Sequence, residues 1–429
     1  MKILVIGLGY IGLPTSIMFA NHGQEVVGVD VSERVVKSLN NGTIHIEEPG
    51  LQEELDRAIQ AGNFRASLQA EEADAFIISV PTPNNNDALK SCDLSYVKSA
   101  VVSTLPYLKK GNTMIIESTI APRTTEDHIL PLIEQAGFIV GEDIFLVHCP
   151  ERVLPGQIIH ELIYNNRIIG GVTDACTEAG KAVYGVFVKG ELISAKASTA
   201  EMSKLMENTY RDVNIALANE LAKISADLGI NALDVIDMAN KHPRVNLHFP
   251  GPGVGGHCLA VDPYFIAAAS PDYSPLIQQA RAINTSMPSY IVAQVKMMME
   301  RVAGKKIAIF GLTYKGDIDD IRESPANEIW EMLLNETSYE VVAHDPHVDA
   351  PFVEKHSEKA TANADLLLIL ADHSEFKALN LDNIANMKQQ NVFDTKNIAQ
   401  ELTAASSYTH MGNISEVSQY PVESKVLSV

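Results

Sequence analysis

The feature that most constrains the fold lies in residues 1–30, where a glycine-rich turn joins an apolar strand to a helix. Lys2–Ile6 is a short apolar run typical of a buried strand. The turn Gly7–Gly12, with the sequence GLGYIG, follows directly, and a helical stretch then extends to residue 22. A second apolar run, Glu25–Val29, ends in Asp30. This order predicts a βαβ unit that binds a dinucleotide within an α/β sheet.

Each glycine of the turn has a physical reason. Gly7 permits the tight turn, Gly9 lets the backbone approach a pyrophosphate, and Gly12 lets the helix and the strand pack closely. Tyr10 and Ile11 lie at the start of the helix, where free N–H groups face the phosphates. We therefore predict a cofactor site at these residues. The alternative is a dinucleotide fold that no longer binds.

The acidic residue after the second strand indicates which dinucleotide is bound. The Asp30 carboxylate can accept hydrogen bonds from a ribose 2′-hydroxyl, and it would repel a 2′-phosphate. The sequence therefore predicts NAD as the cofactor, in preference to NADP.

Further apolar runs alternate with helical patterns through the first half of the chain. They predict strands at Ala75–Val80, Asn112–Glu117 and Ile144–His148, with a possible further strand at Asn166–Gly170. Polar or conformationally fixed residues follow three of these strands: Pro81-Thr82-Pro83, Ser118-Thr119, and Cys149-Pro150-Glu151-Arg152. Ligands of open α/β sheets bind beyond the carboxyl ends of the strands, so we expect these segments near the cofactor. Ordinary turn residues are the alternative.

A long helix is predicted for Thr199–Leu228, which contains no Gly or Pro and is followed by Gly229. Lys204, Asn208 and Arg211 share one face of this helix because they are spaced at i, i+4 and i+7. A solvated polar stripe is the alternative to a functional face.

A second strand-and-turn unit resembles the first. Lys305–Gly311 opens it, and Glu340–Asp345 is the counterpart of the strand that ends in Asp30. Its turn, GLTYKG, lacks the middle glycine, so we expect a Rossmann-like domain that does not hold NAD in the usual way. Three cations are available there for a different phosphate: Lys315, Arg322 and Lys396.

Composition excludes several partners. The net charge is −21 and the sequence pI is about 5.0, which argues against a nucleic-acid partner or an anionic membrane surface. The four cysteines form no CxxC pair, so we predict neither a disulfide frame nor a zinc site, and we expect a cytoplasmic protein. Cys258 is unusual because it ends the glycine-rich stretch PGPGVGGHC, which is neither a regular helix nor a regular strand.

We predict two Rossmann-like doubly wound α/β domains joined by a long central helix and a helical middle domain. The predicted boundaries are residues 1–195 for NAD binding, 196–301 for the central helical domain with the cysteine loop, 302–412 for the second Rossmann-like domain, and 413–429 for a tail.

Seven motifs, in order along nearly the whole chain, carry a family resemblance: GLGYIGLPTSIMFA, VPTP, EST, CPERVLPG, AEMSKLMENTYRDVNIA, PGPGVGGHCLAVDP and GLTYKGDIDDIRESP. Together they resemble the nucleotide-sugar 6-dehydrogenases, which include the UDP-glucose and GDP-mannose dehydrogenases. The variant KHPRVN…PGPGVGGHC is similar to the UDP-N-acetylmannosamine dehydrogenases of bacterial capsule synthesis.

The resemblance implies a four-electron oxidation of the sugar C6 hydroxyl by two NAD⁺. Cys258 would add to the intermediate aldehyde, and the resulting thiohemiacetal would be oxidised to a thioester and then hydrolysed. By the same resemblance, Lys204 and Asn208 stabilise oxyanions, Asp262 and Thr119 position a water as base, and Glu151 serves hydrolysis. UDP-glucose dehydrogenases carry a second glutamate four residues after the first, where this chain has Pro155.

The resemblance also implies the remaining contacts. The substrate-binding positions, besides Lys204 and Asn208, are Arg152, Val153, Arg211, His242, Arg244, Gly255 and Lys315, with Lys315 meeting the UDP. The cofactor positions beyond the glycine turn and Asp30 are Thr82, Thr119 and Arg322. A homodimer in which Arg244 reaches the neighbouring subunit's site is expected, with no metal and no membrane insertion.

Three alternatives stay open. UDP-N-acetylglucosamine or UDP-glucose is the alternative substrate. A two-electron hydroxy-acid dehydrogenase would stop after one NADH and need no cysteine. A non-catalytic NAD-responsive scaffold would tolerate loss of Lys204 and Cys258, and both are present.

Overall fold

The computed structural model describes residues 1–154, 156–256 and 258–416. The chain forms two compact units, one of residues 1–207 with 264–273, the other of residues 208–263 with the chain from 274 onward. Each unit is built on one mainly or wholly parallel sheet with helices, which confirms the predicted α/β class. The three-domain division stays a prediction. Pro155 and residues 417–429 of the predicted tail lie outside the described residues.

The first unit contains an eight-stranded sheet in the order β3-β2-β1-β4-β5-β6-β7-β8. All neighbouring strands run parallel except β6 and β7, which pair antiparallel. The strands are β1 Lys2–Ile6, β2 Glu25–Val29, β3 Phe64–Ser67, β4 Ala75–Ile78, β5 Thr113–Ile116, β6 Phe145–His148, β7 Arg167–Gly171 and β8 Leu192–Lys196.

Both faces of this sheet are covered. Ile3 and Val5 of β1 pack into one hydrophobic core, whereas Leu4 and Ile6 pack into a second core on the other face. Successive side chains of a strand point to opposite faces, so a strand buried on both sides needs a continuous apolar run. This requirement explains why β1, β2, β4, β5 and β6 could be recognised from their sequences.

The helices that follow the strands of the first unit end in a long helix that continues into the second unit. They are α1 Gly12–Asn21, α2 Glu33–Asn40, α3 Leu51–Gln60, α4 Ser95–Thr104, α5 Leu130–Gln135, α6 Ile158–Tyr164, α7 Asp174–Tyr184 and α8 Ala197–Leu228, with a 3₁₀ turn at Leu105–Tyr107 and a π-helical turn at Thr125–Ile129. The long helix predicted from Thr199 is confirmed and begins two residues earlier.

The second unit contains a six-stranded, wholly parallel sheet in the order β11-β10-β9-β12-β13-β14. Its strands are β9 Lys306–Phe310, β10 Glu340–His344, β11 Val353–Glu354, β12 Leu366–Ile369, β13 Asn391–Asp394 and β14 Ser407–His410. The remaining helices of the chain are α9 Ala232–Asn240, α10 Asp262–Ala269, α11 Pro275–Thr285, α12 Met287–Arg301, α13 Pro325–Glu336, α14 Ser357–Thr361 and α15 Ser374–Lys377, with 3₁₀ turns at Pro271–Tyr273, Leu381–Ile384 and Gln400–Ala404.

The packed part of the second unit extends beyond residue 412. Ile414 is buried in the same hydrophobic core as Ile307 and Ile309 of β9. No helix in the described part of the chain combines the length and the apolar composition that a membrane crossing needs.

Candidate active site

The glycine turn after β1 has the geometry of a dinucleotide cradle. Gly7 has a φ of +93°, and a Cβ built there would lie 2.3 Å from the Ser79 carbonyl oxygen. A Cβ on Gly12 would lie 1.9 Å from the Gly7 carbonyl oxygen. Apart from its chain neighbours, a Cβ on Gly9 would meet no atom of the residues that the structure describes within 4 Å. Gly7 and Gly12 are therefore required by the protein's own packing, while Gly9 faces open space that a ligand can approach.

The acid after β2 lies against this turn. Asp30 Oδ2 accepts a hydrogen bond from Leu8 N at 3.0 Å, and Oδ1 accepts one from Ser32 N at 2.9 Å. The residue remains partly exposed. At the other side of the turn, Ile11 occupies the N-cap position of α1 and its side chain cannot accept a capping hydrogen bond. The turn, the helix N-terminus and the carboxylate thus fit the pyrophosphate and a ribose of NAD.

The polar residues that follow β4 and β5 are brought together. Thr82 Oγ1 donates to the Thr119 carbonyl oxygen at 2.6 Å. Ser118 Oγ donates to Val80 O at 2.7 Å and accepts from Val80 N at 2.9 Å. Since β4 pairs with both β1 and β5, these segments lie at the same sheet edge as the glycine turn.

A buried carboxylate holds the chain that follows Thr119. Glu201 of α8 accepts hydrogen bonds from the backbone N–H groups of Arg123 and Thr125, the latter at 2.8 Å. Burial raises the pKa of Glu201 to about 7, although these hydrogen bonds favour the charged form. Glu201 thus connects the long helix to the segment after β5.

The CPER segment after β6 contains a buried ion-pair cluster. One Glu151 oxygen pairs with the Arg167 guanidinium, and the other accepts from Arg152 N at 2.6 Å. Arg167 also contacts Glu117 Oε1 at 3.3 Å. The Arg152 guanidinium contacts Glu207 at 2.8 Å, and Val153 packs against the first-unit core.

The cysteine loop is irregular, as predicted, and presents its thiol. Cys258 is exposed, whereas Cys149 and Cys176 are buried and Cys92 is half-buried. Burial raises the pKa of Cys149 to about 12, so that thiol is a poor nucleophile at neutral pH. Gly255 packs so tightly that an added Cβ would lie 2.4 Å from the Glu323 carbonyl oxygen. Close packing against the segment before α13 is therefore one reason for the glycines of this loop.

Two of the three polar residues predicted to share a face of α8 are buried. Lys204 and Asn208 are both 8% exposed, whereas Arg211 is exposed. Asn208 Nδ2 donates to Asp262 Oδ2 at 2.6 Å, and Asp262 N donates to the Cys258 carbonyl oxygen at 2.9 Å. Asn208, Asp262 and the cysteine loop are thus directly linked.

The other predicted ligand residues lie on the surface of the second unit. His242 and Arg244 are exposed in the segment after α9, and Arg244 N donates to His242 Nδ1 at 3.3 Å. Lys315 is exposed after β9. Arg322 is exposed and contacts Asp320 through two hydrogen bonds of 2.8 Å.

The second glycine turn differs from the first in its acid. Asp345 is fully buried, and its carboxylate accepts hydrogen bonds from Leu312 N at 2.8 Å and His347 N at 2.9 Å. It also accepts from Val348 N and lies 3.1 Å from His373 Nε2. No part of this carboxylate faces solvent, so it is not placed to bind a ribose in the way that Asp30 is.

Sequence models of three parts of one enzyme family match this chain in order. The NAD binding domain of the UDP-glucose/GDP-mannose dehydrogenase family matches residues 1–188, the central domain matches residues 198–286, and the UDP binding domain matches residues 308–401. The chain belongs to the UDP-glucose/GDP-mannose dehydrogenase family. The predicted family, the NAD cofactor and the dehydrogenase class are confirmed, and the UDP binding domain supports a UDP-sugar as substrate.

Individual relatives agree with this assignment. The solved structure of the UDP-N-acetyl-mannosamine dehydrogenase Cap5O from Staphylococcus aureus is 59% identical, covers 97% of this chain and 100% of its own, and has a TM-score of 0.91. A UDP-N-acetyl-D-mannosamine dehydrogenase of Pyrococcus horikoshii is 41% identical, with the same coverage and TM-score. The UDP-N-acetyl-D-mannosamine dehydrogenase of Methanococcus maripaludis is 48% identical over 93% of each chain.

One group among the described residues of this dehydrogenase has the composition of a metal site. Ligand atoms of Asp317, His347, His373 and Glu375 lie within 4.8 Å of one another. However, His373 Nδ1 accepts a hydrogen bond from Asp317 N at 2.9 Å, so its Nε2 must carry the proton and donate to Asp345. Both ring nitrogens are therefore engaged within the protein.

Three buried charged residues of this chain were not recognised as important from the sequence. Glu117 ends a predicted strand and begins the EST motif, but the sequence assigned no role to it, to Arg167 or to Glu201. A charged residue at the edge of an apolar run, as in MIIE and RIIGG, is the signal that could have identified the first two. Glu201 lies in a helix where carboxylates are usually solvated.

Proposed function

We propose that this enzyme oxidises the C6 hydroxyl of UDP-N-acetyl-D-mannosamine to the carboxylate, giving UDP-N-acetyl-D-mannosaminuronate for a capsular or other surface polysaccharide. The observation that carries the proposal is Cys258, an exposed thiol on an irregular glycine-rich loop whose backbone is tied through Asp262 to Asn208. An oxidation that ended at the aldehyde would have no use for such a nucleophile.

Bound NAD⁺ supplies the hydride acceptor in each of the two oxidations. Side chains of the protein carry out the proton transfers, the nucleophilic addition and the stabilisation of charge. Asp262 and Thr119 position a water that takes the proton of the C6 hydroxyl. The Cys258 thiolate adds to the aldehyde, because an aldehyde can give up a hydride only after a nucleophile has added to its carbonyl. Lys204 and Asn208 stabilise the oxyanions, and Glu151 serves hydrolysis of the thioester.

The choice of sugar rests on the relatives and on local chemistry. An N-acetyl group at C2 is bulkier than a hydroxyl and brings one amide donor and one acceptor. The segment after Glu151 replaces the second glutamate of UDP-glucose dehydrogenases with a proline, which changes both the room and the hydrogen-bonding partners near the sugar. UDP-N-acetylglucosamine and UDP-glucose are the alternatives.

A homodimer fits the exposed surface of the long helix. Tyr210, Leu217 and Ile224 are 56%, 49% and 50% exposed, and Leu228 is 63% exposed. The seven-residue spacing of the first three places them in one apolar seam, which is typical of helices that pair with another helix. We assign this seam to a second copy of the chain, with Arg244 reaching the neighbouring copy's site. A cytoplasmic location suits an enzyme that needs a reduced thiol.

The test is the yield of NADH per sugar consumed, together with kcat/KM on UDP-N-acetylmannosamine, UDP-N-acetylglucosamine and UDP-glucose. We expect two NADH per sugar and the highest kcat/KM for the manno substrate. One NADH per sugar would refute the cysteine mechanism, and no turnover of any sugar would favour a non-catalytic scaffold. A preference for a gluco sugar would overturn the substrate assignment alone. Sedimentation of the wild type and of Ile224→Glu tests the dimer, since the glutamate should yield monomers.

A further inference from the structure

Arg167 occupies an unusual place in the first unit. Its side chain is 4% exposed, and it lies between two carboxylates, Glu117 and Glu151, whose side chains are 0% and 8% exposed. The guanidinium carbon also lies 4.3 Å from the centre of the Tyr184 ring. Taking an arginine and two carboxylates out of water is costly, so the cluster calls for a reason beyond stability.

The single antiparallel pair of the sheet brings Arg167 to this place. β6 and β7 pair with Val147 opposite Gly171 and His148 opposite Gly170. Continuing that register, residue 151 stands opposite residue 167. A parallel β7 would have begun at the opposite edge of the sheet. The reversed strand instead delivers a cation to the edge where the parallel strands end, which is where ligands of such sheets bind.

The Glu151 carboxylate is held at both oxygens. One oxygen pairs with Arg167, and the other accepts from Arg152 N. Two fixed donors restrict the rotation of the carboxylate about its last side-chain bond. The remaining lone pairs therefore point in fixed directions, which is the condition for an efficient proton acceptor.

Glu117 keeps the guanidinium in place from the other side. Its Oε1 accepts from Tyr184 Oη at 2.8 Å and faces Arg167 at 3.3 Å. Its Oε2 is buried and has no hydrogen-bond partner among the described residues. Burial raises the pKa of Glu117 to about 7, against the opposing effect of Arg167 and with a further increase from the Glu151 charge. When Glu117 is neutral, Glu151 is the carboxylate that balances the positive charge of Arg167.

We propose that Arg167 is a positioning residue for thioester hydrolysis, which it serves by fixing the orientation of Glu151 through their ion pair. The proposal rests on the proposed function, in which Glu151 takes a proton from the attacking water. The water oxygen bonds to the thioester carbon, the carbon–sulfur bond breaks, and Cys258 leaves as a thiolate. One proton of the water passes to Glu151 and the other is lost when the product acid ionises. No electrons are transferred in this step.

The test separates hydrolysis from the two oxidations. Both hydrides leave before hydrolysis, so when hydrolysis is the slow step, rapid mixing with UDP-N-acetylmannosamine and excess NAD⁺ should release a burst approaching two NADH per site. For Arg167→Lys and Arg167→Met, we expect the burst to be retained while the steady-state rate falls about 10²-fold, the lower end of what a positioned base contributes. The mass of the acid-quenched protein should show an acyl group on Cys258.

Three further variants sharpen the test. Arg65→Met removes an exposed, ion-paired arginine of the same unit and should leave both phases unchanged. Glu117→Gln resembles the neutral acid, and its amide oxygen can still accept the hydrogen bond from Tyr184 Oη. We therefore expect its steady-state rate to stay within about threefold of the wild-type rate. In a Glu151→Gln background, Arg167→Lys should have no additional effect on hydrolysis, since it acts through Glu151.

The outcomes are distinguishable. A wild type that yields one NADH per sugar refutes the proposed function. A wild type that behaves as expected, with Arg167→Lys turning over at the wild-type rate or losing the burst as much as the steady-state rate, overturns the positioning role. If Arg167→Lys lacks the circular dichroism spectrum of the native protein, the arginine is needed for folding, and the positioning role is overturned as well.

Discussion

The glycine turn after β1 offers a prediction that separates cofactor binding from folding. Gly9→Ala adds a methyl group that would meet no atom of the described residues within 4 Å, apart from its own chain neighbours, and Gly9 does not have a left-handed φ. The alanine therefore costs the fold nothing by contact and restricts the unfolded chain, so we expect the free energy of unfolding to rise by about 0.4–1 kcal/mol or to stay unchanged. The same methyl group projects into the space that Gly9 leaves for the pyrophosphate.

Gly12→Ala is the opposite case. Its Cβ would lie 1.9 Å from the Gly7 carbonyl oxygen, whereas real Cβ contacts essentially never fall below 3.0 Å, so the turn and the helix must separate by at least 1.1 Å. Overpacking of this kind costs about 1–3 kcal/mol. For a folding unit of about 200 residues, we expect the melting temperature to fall by roughly 2–12 °C.

Gly23→Ala is a matched control. Gly23 has a φ of +79° and open space around its Cα, so an alanine there is strained by about 1–2 kcal/mol without approaching the cofactor turn. The assay pairs thermal unfolding of the NAD-free protein with calorimetric titration of NAD⁺. We expect Gly9→Ala to weaken NAD⁺ binding at least about tenfold, or 1.4 kcal/mol, at an unchanged or higher melting temperature. Gly23→Ala should melt lower and bind normally. Wild-type affinity in Gly9→Ala, or an equal loss of stability in Gly9→Ala and Gly12→Ala, would refute the reasoning.

Four other outcomes are expected. Asp30→Ala should narrow the ratio of kcat/KM for NAD⁺ over NADP⁺ by about tenfold or more, the equivalent of losing a hydrogen bond to a charged group; an unchanged ratio would contradict the role of Asp30. Cys258→Ser should stall at an oxygen-linked adduct or the aldehyde level, because an alkoxide is a poor nucleophile at neutral pH, and uronate formation by Cys258→Ala near the wild-type rate would exclude covalent catalysis. Lys204→Ala should lower kcat about 10²–10³-fold with unchanged NAD⁺ affinity, while a purely structural lysine would lower the melting temperature instead. Burial raises the pKa of Glu201 to about 7, above the unfolded value near 4.5, so the folded protein binds more protons than the unfolded chain between pH 4.5 and 7. Roughly 3 kcal/mol of stability that is present at low pH is therefore lost as the pH rises to 7. The urea midpoint should fall less between pH 5 and pH 7 for Glu201→Gln than for the wild type.

The sequence predicted the strands that are buried on both faces of the sheet. β1, β2 and β4 are continuous apolar runs because both faces of the sheet are covered, and such runs are visible without any knowledge of their neighbours. β3 and β8 were missed because they are edge strands with exposed positions, and their sequences FRAS and LISAK carry no continuous apolar run. β11 and β14, the edge strands of the second sheet, were missed for the same reason.

The site was predictable where local backbone geometry determines it. Gly7 and Gly12 are needed by contacts within a few residues and with one neighbouring strand, so a motif can specify them. The pairing of Arg167 with Glu151 could not be foreseen, because it depends on the direction of β7 relative to β6. The pattern of Asn166–Gly170 allows a further strand there, but it does not indicate whether that strand runs parallel or antiparallel to its neighbour.

The burial of Asp345 shows how two similar halves of one chain can differ in the nucleotide that they bind. Both halves of this chain carry a strand, a turn that starts with glycine, and a second strand followed by aspartate, and in both the aspartate receives the N–H of the residue after the first glycine. In the second half, His347, Val348 and His373 saturate the same carboxylate. Restoring the missing glycine at Thr313 would therefore not create a second NAD site, since the acid would still be enclosed. Such a pattern identifies shared architecture, and the solvent access of one carboxylate distinguishes the half that binds NAD from the half that does not bind it in this way.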